Sequence, residues 1–141
     1  PFDVVHCSGV LYHVPCPITF LARLRDRLWE HLVLTSAVMP LRIENRHGVR
    51  SVPEGGVLSV AAMSARDKAI YTETEYWQGE SDAAMWGINR EFRHFRLDNS
   101  SVMVLLTVSV VRELARLAGF EPIKDAPLWA GTADTFLLRK R

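Results

Sequence analysis

The chain has 141 residues, of which 48% are hydrophobic and 23% charged, which is enough for one domain with a sizeable core. Lys and Arg number 17 and Asp and Glu 16, so net charge gives no argument for nucleic acid or a membrane surface as a partner. The longest apolar run, residues 102–111, is far shorter than the ~20 residues of a spanning helix. Two cysteines, Cys7 and Cys16, predict free thiols in a reducing, cytoplasmic setting, and both are expected to be small core residues.

The first forty residues predict a β-α-β unit. FDVVHC (2–7) is short, apolar and β-branched, which is typical of a strand covered on both faces. HLVLTSAVM (31–39) predicts a second buried strand. The helix between them is predicted from apolar residues three and four apart, namely Ile18, Leu21, Leu24 and Leu28. Strands joined by such a crossover are expected to be parallel.

The middle of the chain has no sustained period. Residues 41–56 are rich in turn-forming residues, and residues 57–99 mix aromatic side chains with charges. We interpret the segment of about 41–100 as an insertion with short helices near 64–70 and 81–86. Its residues Tyr76, Trp77 and Trp86 either line a pocket or pack on the sheet. The run REFRHFR (90–96) fits either a solvated amphipathic face or a surface for phosphates and bases.

Regular structure is predicted again near the C-terminus. Thr107 or Ser109 is a suitable N-cap for the helix that follows, and Gly119 stands where a left-handed C-cap residue is expected. Residues 120–123 and 135–138 predict two strands, which with their flanking residues are expected to span about 120–126 and 134–140 in the sheet. The segment DAPLWAGTAD between them predicts a turn and therefore an antiparallel pair.

This order resembles the C-terminal half of class I S-adenosylmethionine-dependent methyltransferases. FDVVHCSGVLYHVPCP is similar to their fourth strand and following loop, and ITFLARLRDRL with HLVLTSAV to the next helix and fifth strand. TVSVVRELARLAGFEPI is similar to the last helix and sixth strand, and TFLLRKR to the seventh strand. The sequence GVLYH (9–13) most resembles the corresponding loop of tRNA wobble-uridine carboxymethyltransferases.

The resemblance implies an α/β fold, the C-terminal half of a Rossmann-like methyltransferase sheet whose parallel strands are ended by an antiparallel hairpin. The implied strand order is fourth, fifth, seventh, sixth. The glycine-rich turn and the ribose-binding acid of such a sheet would precede residue 1. Residues 1–141 are thus expected to be a partial domain that binds S-adenosylmethionine weakly by itself. Either the missing half or self-association is expected to cover the exposed edge at 2–7.

Two departures from the family pattern bear on the cofactor. The Gly-Gly pair that usually joins the helix to the fifth strand is replaced by Trp29, Glu30 and His31. Asp134 stands where the wobble-uridine enzyme has a basic residue that meets a carboxylated cofactor. Because an acid would repel that carboxylate, the expected cofactor is plain S-adenosylmethionine.

Four residues after the first strand are candidates for the site. Ser8 and Gly9 follow the carboxyl end of the strand, where open α/β sheets bind ligands, and Gly9 lets backbone approach a cofactor. The resemblance implies that Tyr12 lies beside the methionine part of the cofactor; alternatively it caps the sheet edge. His13 is either a general base for the methyl acceptor or a structural residue. No base is obligatory, because the sulfonium is already an activated donor that needs only positioning.

Other functions were weighed against methyl transfer. The histidines His6, His47 and His94 fall on unrelated segments, so no metal site is predicted. A non-catalytic interaction domain that keeps the sheet but has lost the cofactor site is the main alternative. A nicotinamide-dependent enzyme is disfavoured because no Tyr-x-x-x-Lys pair is present. The acceptor, small molecule or RNA, is not specified by the sequence.

Overall fold

The structure, a computed structural model, describes residues 2–59, 62–76, 104–128 and 131–141. In chain order the elements are β1 (Phe2–Ser8), a 3₁₀ turn (Leu11–His13), α1 (Pro17–Arg27), β2 (Leu28–Ala37), β3 (Arg42–Asn45), β4 (Gly48–Ser51), β5 (Val57–Ser59), α2 (Ala65–Tyr76), β6 (Val104–Leu106), α3 (Val108–Leu117), β7 (Phe120–Leu128) and β8 (Ala133–Lys140).

A four-stranded mixed sheet with the order β1-β2-β8-β7 organises the chain. β1 and β2 are parallel, as expected of a β-α-β unit, and β8 is antiparallel to both of its neighbours. The last strand therefore inserts between the two that precede it in the main sheet. This is the strand order that the resemblance implies.

The junction between α1 and β2 differs from the prediction. β2 was expected to begin at residue 31, but it begins at Leu28, directly after the last residue of α1. Leu28 is fully buried and pairs with Phe2, and the next partners are Val4 and His31, so β2 uses one extra residue there. This irregularity takes up Trp29 and Glu30, so the strand starts without a separate connecting turn.

The hairpin at the C-terminus is also longer than predicted. The strands were expected at about 120–126 and 134–140, and residues 127–128 and 133 continue the ladder of β7 and β8 as far as the Leu128–Ala133 pair. Pro127 is compatible with this ladder because β7 lies at the edge of the sheet. The helix before it ends as predicted, with Gly119 at φ 88° after the C-cap residue Ala118.

The main core lies between one face of the sheet and the helices α1 and α3, which contact each other. Its fully buried side chains come from every layer, and burying each large one stabilises the fold by about 1.5–3 kcal/mol. They include Leu11 from the 3₁₀ turn, Leu21 from α1, Leu28, Leu32 and Leu34 from β2, Val111 and Ala115 from α3, Phe120 from β7 and Leu138 from β8.

Apolar side chains remain exposed at β1. Val5 and Cys7 point into the core, whereas Phe2 and Val4 are 69% and 57% exposed. Within the described residues, β1 pairs only with β2, so its other side is an open edge. The predicted unpaired edge at residues 2–7 is present.

The insertion contains strands that the sequence did not predict, namely β3, β4 and β5; a short extended piece was predicted over 102–106, where β6 lies. β3 and β4 form a hairpin, β5 pairs with β6, and α2 packs on the hairpin. The strands are only 3 or 4 residues long, too short to show a clear alternation of apolar and polar residues. The helix predicted near 64–70 is α2, which runs on to residue 76.

A second core cluster lies under this insertion. Its members come from the 3₁₀ turn, the end of β2 and the insertion itself: Tyr12, Met39, Ile43, Met63, Ile70, Tyr71 and Leu105. The insertion therefore packs over the end of the sheet at which β1 and β2 finish.

Some predictions lie outside the described residues. They are the helix near 81–86, the REFRHFR run, Trp77, Trp86 and the side chain of Tyr76. In the part of the chain that is described, no helix has the length and apolar character needed to cross a membrane.

Candidate functional site

The candidate site is built where the parallel strands β1 and β2 end. Ser8, the last residue of β1, pairs with Thr35 of β2, and the Gly9 amide donates to the Thr35 carbonyl oxygen at 3.0 Å. Gly9 has φ 72°, a left-handed conformation that favours glycine. Because of this conformation the chain turns away from the sheet immediately after the strand.

The 3₁₀ turn that follows places Tyr12 beside Gly9. A Cβ built on Gly9 would lie 3.7 Å from the Tyr12 hydroxyl oxygen, and apart from the adjacent residues Ser8 and Val10 no other heavy atom of the described residues lies within 4 Å of it. Tyr12 is only 8% exposed and belongs to the second core cluster. The structure therefore brings Gly9 and Tyr12 together, with most of the tyrosine ring in the core.

His13 is the last residue of the 3₁₀ turn, and its side chain is half-buried. Its amide donates to the Val10 carbonyl oxygen at 2.9 Å, which closes the 3₁₀ turn. Its ring lies against that of Tyr12, with 4.2 Å between the ring centroids and a tilt of 46°. Four residues predicted from sequence, Ser8, Gly9, Tyr12 and His13, thus lie within one loop at the carboxyl end of the parallel strands.

A cavity of about 190 Å³ lies at the same end of the sheet. Met39 links it to the loop, because Met39 lines the cavity and also packs in the cluster that contains Tyr12. Its walls come from the end of β2, the insertion, the start of α3 and the β7–β8 turn: Val38, Met39, Pro40, Leu41, Glu54, Thr107, Val108, Ser109, Arg112 and Gly131.

Two hydroxyl groups hold the insertion against α3 beside this cavity. Thr107 and Ser109 both donate to the Glu54 carbonyl oxygen, and the Thr107 amide donates to the Gly56 carbonyl oxygen. Thr107 is the N-cap residue, as predicted, but its hydroxyl group is used for this contact and does not cap the helix. Sequence singled out Thr107 and Ser109 as caps; it carried no local signal for Glu54, which is more than fifty residues away.

Arg112, which lines the cavity, pairs with an acid of β7, and a second acid is buried in β8. Arg112 of α3 donates from Nε and Nη2 to Asp125 Oδ1 of β7, at 3.0 and 2.6 Å. Asp134 of β8 is 4% exposed, and burial, followed by the nearby Asp125 carboxylate, raises its pKa. Asp134 is therefore a core residue at this end of the sheet.

The two cysteines differ from the prediction that both are small core residues. Cys7 fits it, since it is buried and desolvation raises its pKa. Cys16 does not: it is the exposed N-cap residue of α1, and a hydrogen bond with the Thr19 side chain lowers its pKa. The Cys16 Sγ and Thr19 Oγ1 atoms are 3.0 Å apart. Both thiols are free. Within the described residues, no three His, Cys, Asp or Glu side chains group as metal ligands would.

Known proteins offer a limited comparison. No protein-family model matches the chain, and no curated protein does. It is similar to a solved structure of the N-terminal domain of EvdMO1 with SAH bound, with 16% identity and a TM-score of 0.45 over 99% of this chain and 46% of that one. A structure of the same domain in the presence of SAH and D-fucose gives 15% identity and a TM-score of 0.44. The chain thus spans about half the length of the structures it matches, and a likeness at this level does not extend to activity.

Proposed function

We propose that this chain is part of an S-adenosylmethionine-dependent methyltransferase, from its fourth strand to its seventh, with an insertion between β2 and α3. The strand order β1-β2-β8-β7, with β8 antiparallel and inserted before β7, carries the proposal. A simple hairpin added to a parallel sheet would place β8 at the outside. The insertion of β8 is therefore a specific feature of the topology, and it is the one that the family resemblance implies.

The loop after β1 would supply part of the cofactor site. Gly9 lies at the carboxyl end of a parallel strand, and the space that a side chain would enter there is bounded by the Tyr12 hydroxyl group. This fits close approach of a ligand to backbone at Ser8 and Gly9, with the Tyr12 hydroxyl oxygen at the border. The remaining contacts, to the methionine and ribose parts, would come from sequence before Pro1.

Methyl transfer from the sulfonium needs little chemistry from these residues. S-adenosylmethionine, when bound, supplies an activated methyl group, so the chain has to align the acceptor and exclude water. His13 is the candidate to accept a proton from an OH or NH acceptor, because its half-buried ring lies in the same turn as Tyr12. Asp134 is buried at the position where the wobble-uridine enzyme has a basic residue, so no cation stands there to meet a carboxylated cofactor, and plain S-adenosylmethionine is the proposed cofactor.

Calorimetry with S-adenosylmethionine tests the proposal. The 141-residue chain alone is expected to show no saturable binding at micromolar cofactor, whereas the same chain preceded by its natural upstream sequence is expected to bind. Tight binding by the 141 residues would contradict the placement of the cofactor site. No binding by the longer protein would contradict the proposed function.

Substitutions in the longer protein test the residue roles. Tyr12→Ala is expected to weaken cofactor binding more than His13→Ala, and Tyr12→Phe is the control that keeps the packing of this buried ring. If all three bind cofactor like the parent and only His13→Ala loses turnover, Tyr12 is a packing residue and His13 gains the role of base.

A non-catalytic interaction domain is the second candidate. The observation that favours it is the apolar surface at Phe2, Val4 and Trp29, which are 69%, 57% and 65% exposed. The upstream sequence separates the two: a glycine-rich turn followed after one further strand by Asp or Glu favours the enzyme. The wobble-uridine subtype and the cytoplasmic location stay predictions, and the acceptor is left unspecified.

A further inference from the structure

The residues Arg112, Asp125 and Asp134 form a cluster of one cation and two acids. They come from α3, β7 and β8, and Arg112 also lines the cavity. Asp125 and Arg112 are the charged groups that act on Asp134; its neighbour on β2, Ser36, is not titratable. Ser36 donates its hydroxyl group to the Ala37 carbonyl oxygen and so gives Asp134 no hydrogen bond.

The hydrogen bonds of the cluster are unevenly distributed. Both donors of Arg112 go to Asp125 Oδ1. Asp134 accepts hydrogen bonds from the backbone amides of Ala126 and Thr135, but its Oδ1 atom is buried and has no partner among the described residues. Arg112 thus pairs with the acid that is more accessible to water, because the Asp125 side chain is 23% exposed whereas Asp134 is 4% exposed.

This arrangement is favourable only while Asp134 is neutral. A buried carboxylate without a counter-ion is strongly destabilising, whereas a neutral carboxyl group with two amide donors is far less so. If Asp134 ionises, the arginine is worth more beside it than beside Asp125, because water can solvate Asp125 in its place.

We propose that Asp134 and Asp125 compete for Arg112 under the control of one proton. With the proton on Asp134, the guanidinium group stays on Asp125; when the proton leaves to solvent, the guanidinium group moves towards Asp134. Because Arg112 lines the cavity, the move changes the charge that α3 presents there. The competition is independent of whether the chain transfers methyl groups.

A nuclear magnetic resonance titration of the 141-residue chain tests this, with labelled Asp carboxyl and Arg Nε groups. In the unsubstituted protein the Arg112 Nε signal is expected to change with the same midpoint as the Asp134 carboxyl signal. Asp134→Asn, which cannot ionise, should leave the Arg112 signal flat over that pH range. An Arg112 signal that ignores the Asp134 midpoint, or still titrates there in Asp134→Asn, would overturn the proposal.

Asp125→Asn supplies the second measurement. Freed from Asp125, Arg112 should pair with Asp134, so the proton affinity of Asp134 should fall about tenfold or more. The matched control is Glu121→Gln on the same strand, which removes an exposed partner of Arg139 and should leave the midpoint of Asp134 unchanged. An unchanged or raised midpoint in Asp125→Asn would also overturn the proposal. If that variant does not fold, the proposal is tested by whether the Arg112 Nε and Asp134 carboxyl signals of the unsubstituted protein share one midpoint.

Discussion

The two outer strands of the main sheet, β7 and β1, are built differently. β7 contains Pro122 and Pro127, which cannot donate to a further strand, and its register with β8 is irregular after Pro122. Two ion pairs also tie its acids to neighbouring elements, Glu121 to Arg139 and Asp125 to Arg112. Prolines, irregular register and charge are features by which natural sheets prevent their edges from pairing with other chains.

β1 has fewer of these features. It is a seven-residue strand without proline, arginine or lysine, and its one formal charge is Asp3. Its register with β2 is irregular only between Phe2 and Val4, and both of these side chains are exposed. β7 therefore has the features of a protected edge strand, whereas β1 has a sequence more typical of an interior strand. That supports the proposal that another segment, from the upstream half or from a second copy, pairs with β1.

The largest expected effect compares how the two strands are anchored in the core. Phe120 of β7 is fully buried, and Phe120→Ala should lower the free energy of unfolding by about 3–5 kcal/mol through lost burial and the cavity left behind. Cys7 of β1 is smaller and 9% exposed, so Cys7→Ala should lower it by roughly 1 kcal/mol. Urea denaturation measures both. An equal loss for the two variants would show that β1 is anchored as firmly as β7.

A lysine on each edge tests the comparison directly. Val4 and Ile123 have similar exposure, 57% and 47%, and lie on opposite edges of the sheet. If β1 is the open edge, the 141-residue chain self-associates, and Val4→Lys weakens the association about tenfold or more, because a charged edge strand resists pairing. Ile123→Lys is the matched control and should leave association unchanged.

Sedimentation velocity over a range of concentrations measures the difference. Two results would contradict it: a chain that stays monomeric at every concentration, or two lysine variants that weaken association equally.

Sequence predicted the parts of the fold that depend on local pattern and on element order. The β-α-β unit, the Gly119 helix end and the order of the strands follow from periodicity and from the resemblance. The start of β2 at Leu28 was missed because it depends on pairing with Phe2. The β7–β8 ladder can extend past Pro127 because, among the described residues, no strand pairs with the outer side of β7.

The same division holds at the candidate site. The loop from Ser8 to His13 is continuous in sequence, so a motif could find it. The cavity joins Glu54, Thr107 and Arg112 from the insertion and α3, and only the tertiary structure brings these segments together. Cys16 was placed in the core because cysteine is usually buried, whereas its position as the N-cap of α1 leaves it at the surface.

The smallest expected effect is the change with pH in the stability that buried Asp134, which pairs with Pro127 of the protected edge, contributes. Pro127 lacks an amide proton opposite Asp134, and the Asp134 carboxyl group accepts the Ala126 amide next to it. Since burial raises the pKa of Asp134 above its ordinary value of 3.8, the folded state binds this proton more tightly than the unfolded state does. Its contribution to stability is therefore fully present below pH 3.8 and is lost as the pH rises through the folded pKa.

Asp134→Asn should remove this loss, because an amide keeps an oxygen for the two backbone donors and cannot ionise. The variant should match the parent at the acid end and be more stable than the parent at neutral pH, as measured by denaturant unfolding at a series of pH values. Glu121→Gln is the control with the opposite sign. Arg139 lowers the pKa of Glu121 below 4.5, so that pair contributes above pH 4.5 and is lost as the pH falls through the folded pKa. If the difference in stability between the parent and Asp134→Asn does not grow with pH, ionisation of Asp134 does not destabilise the fold. The two outer strands then differ only in what they expose.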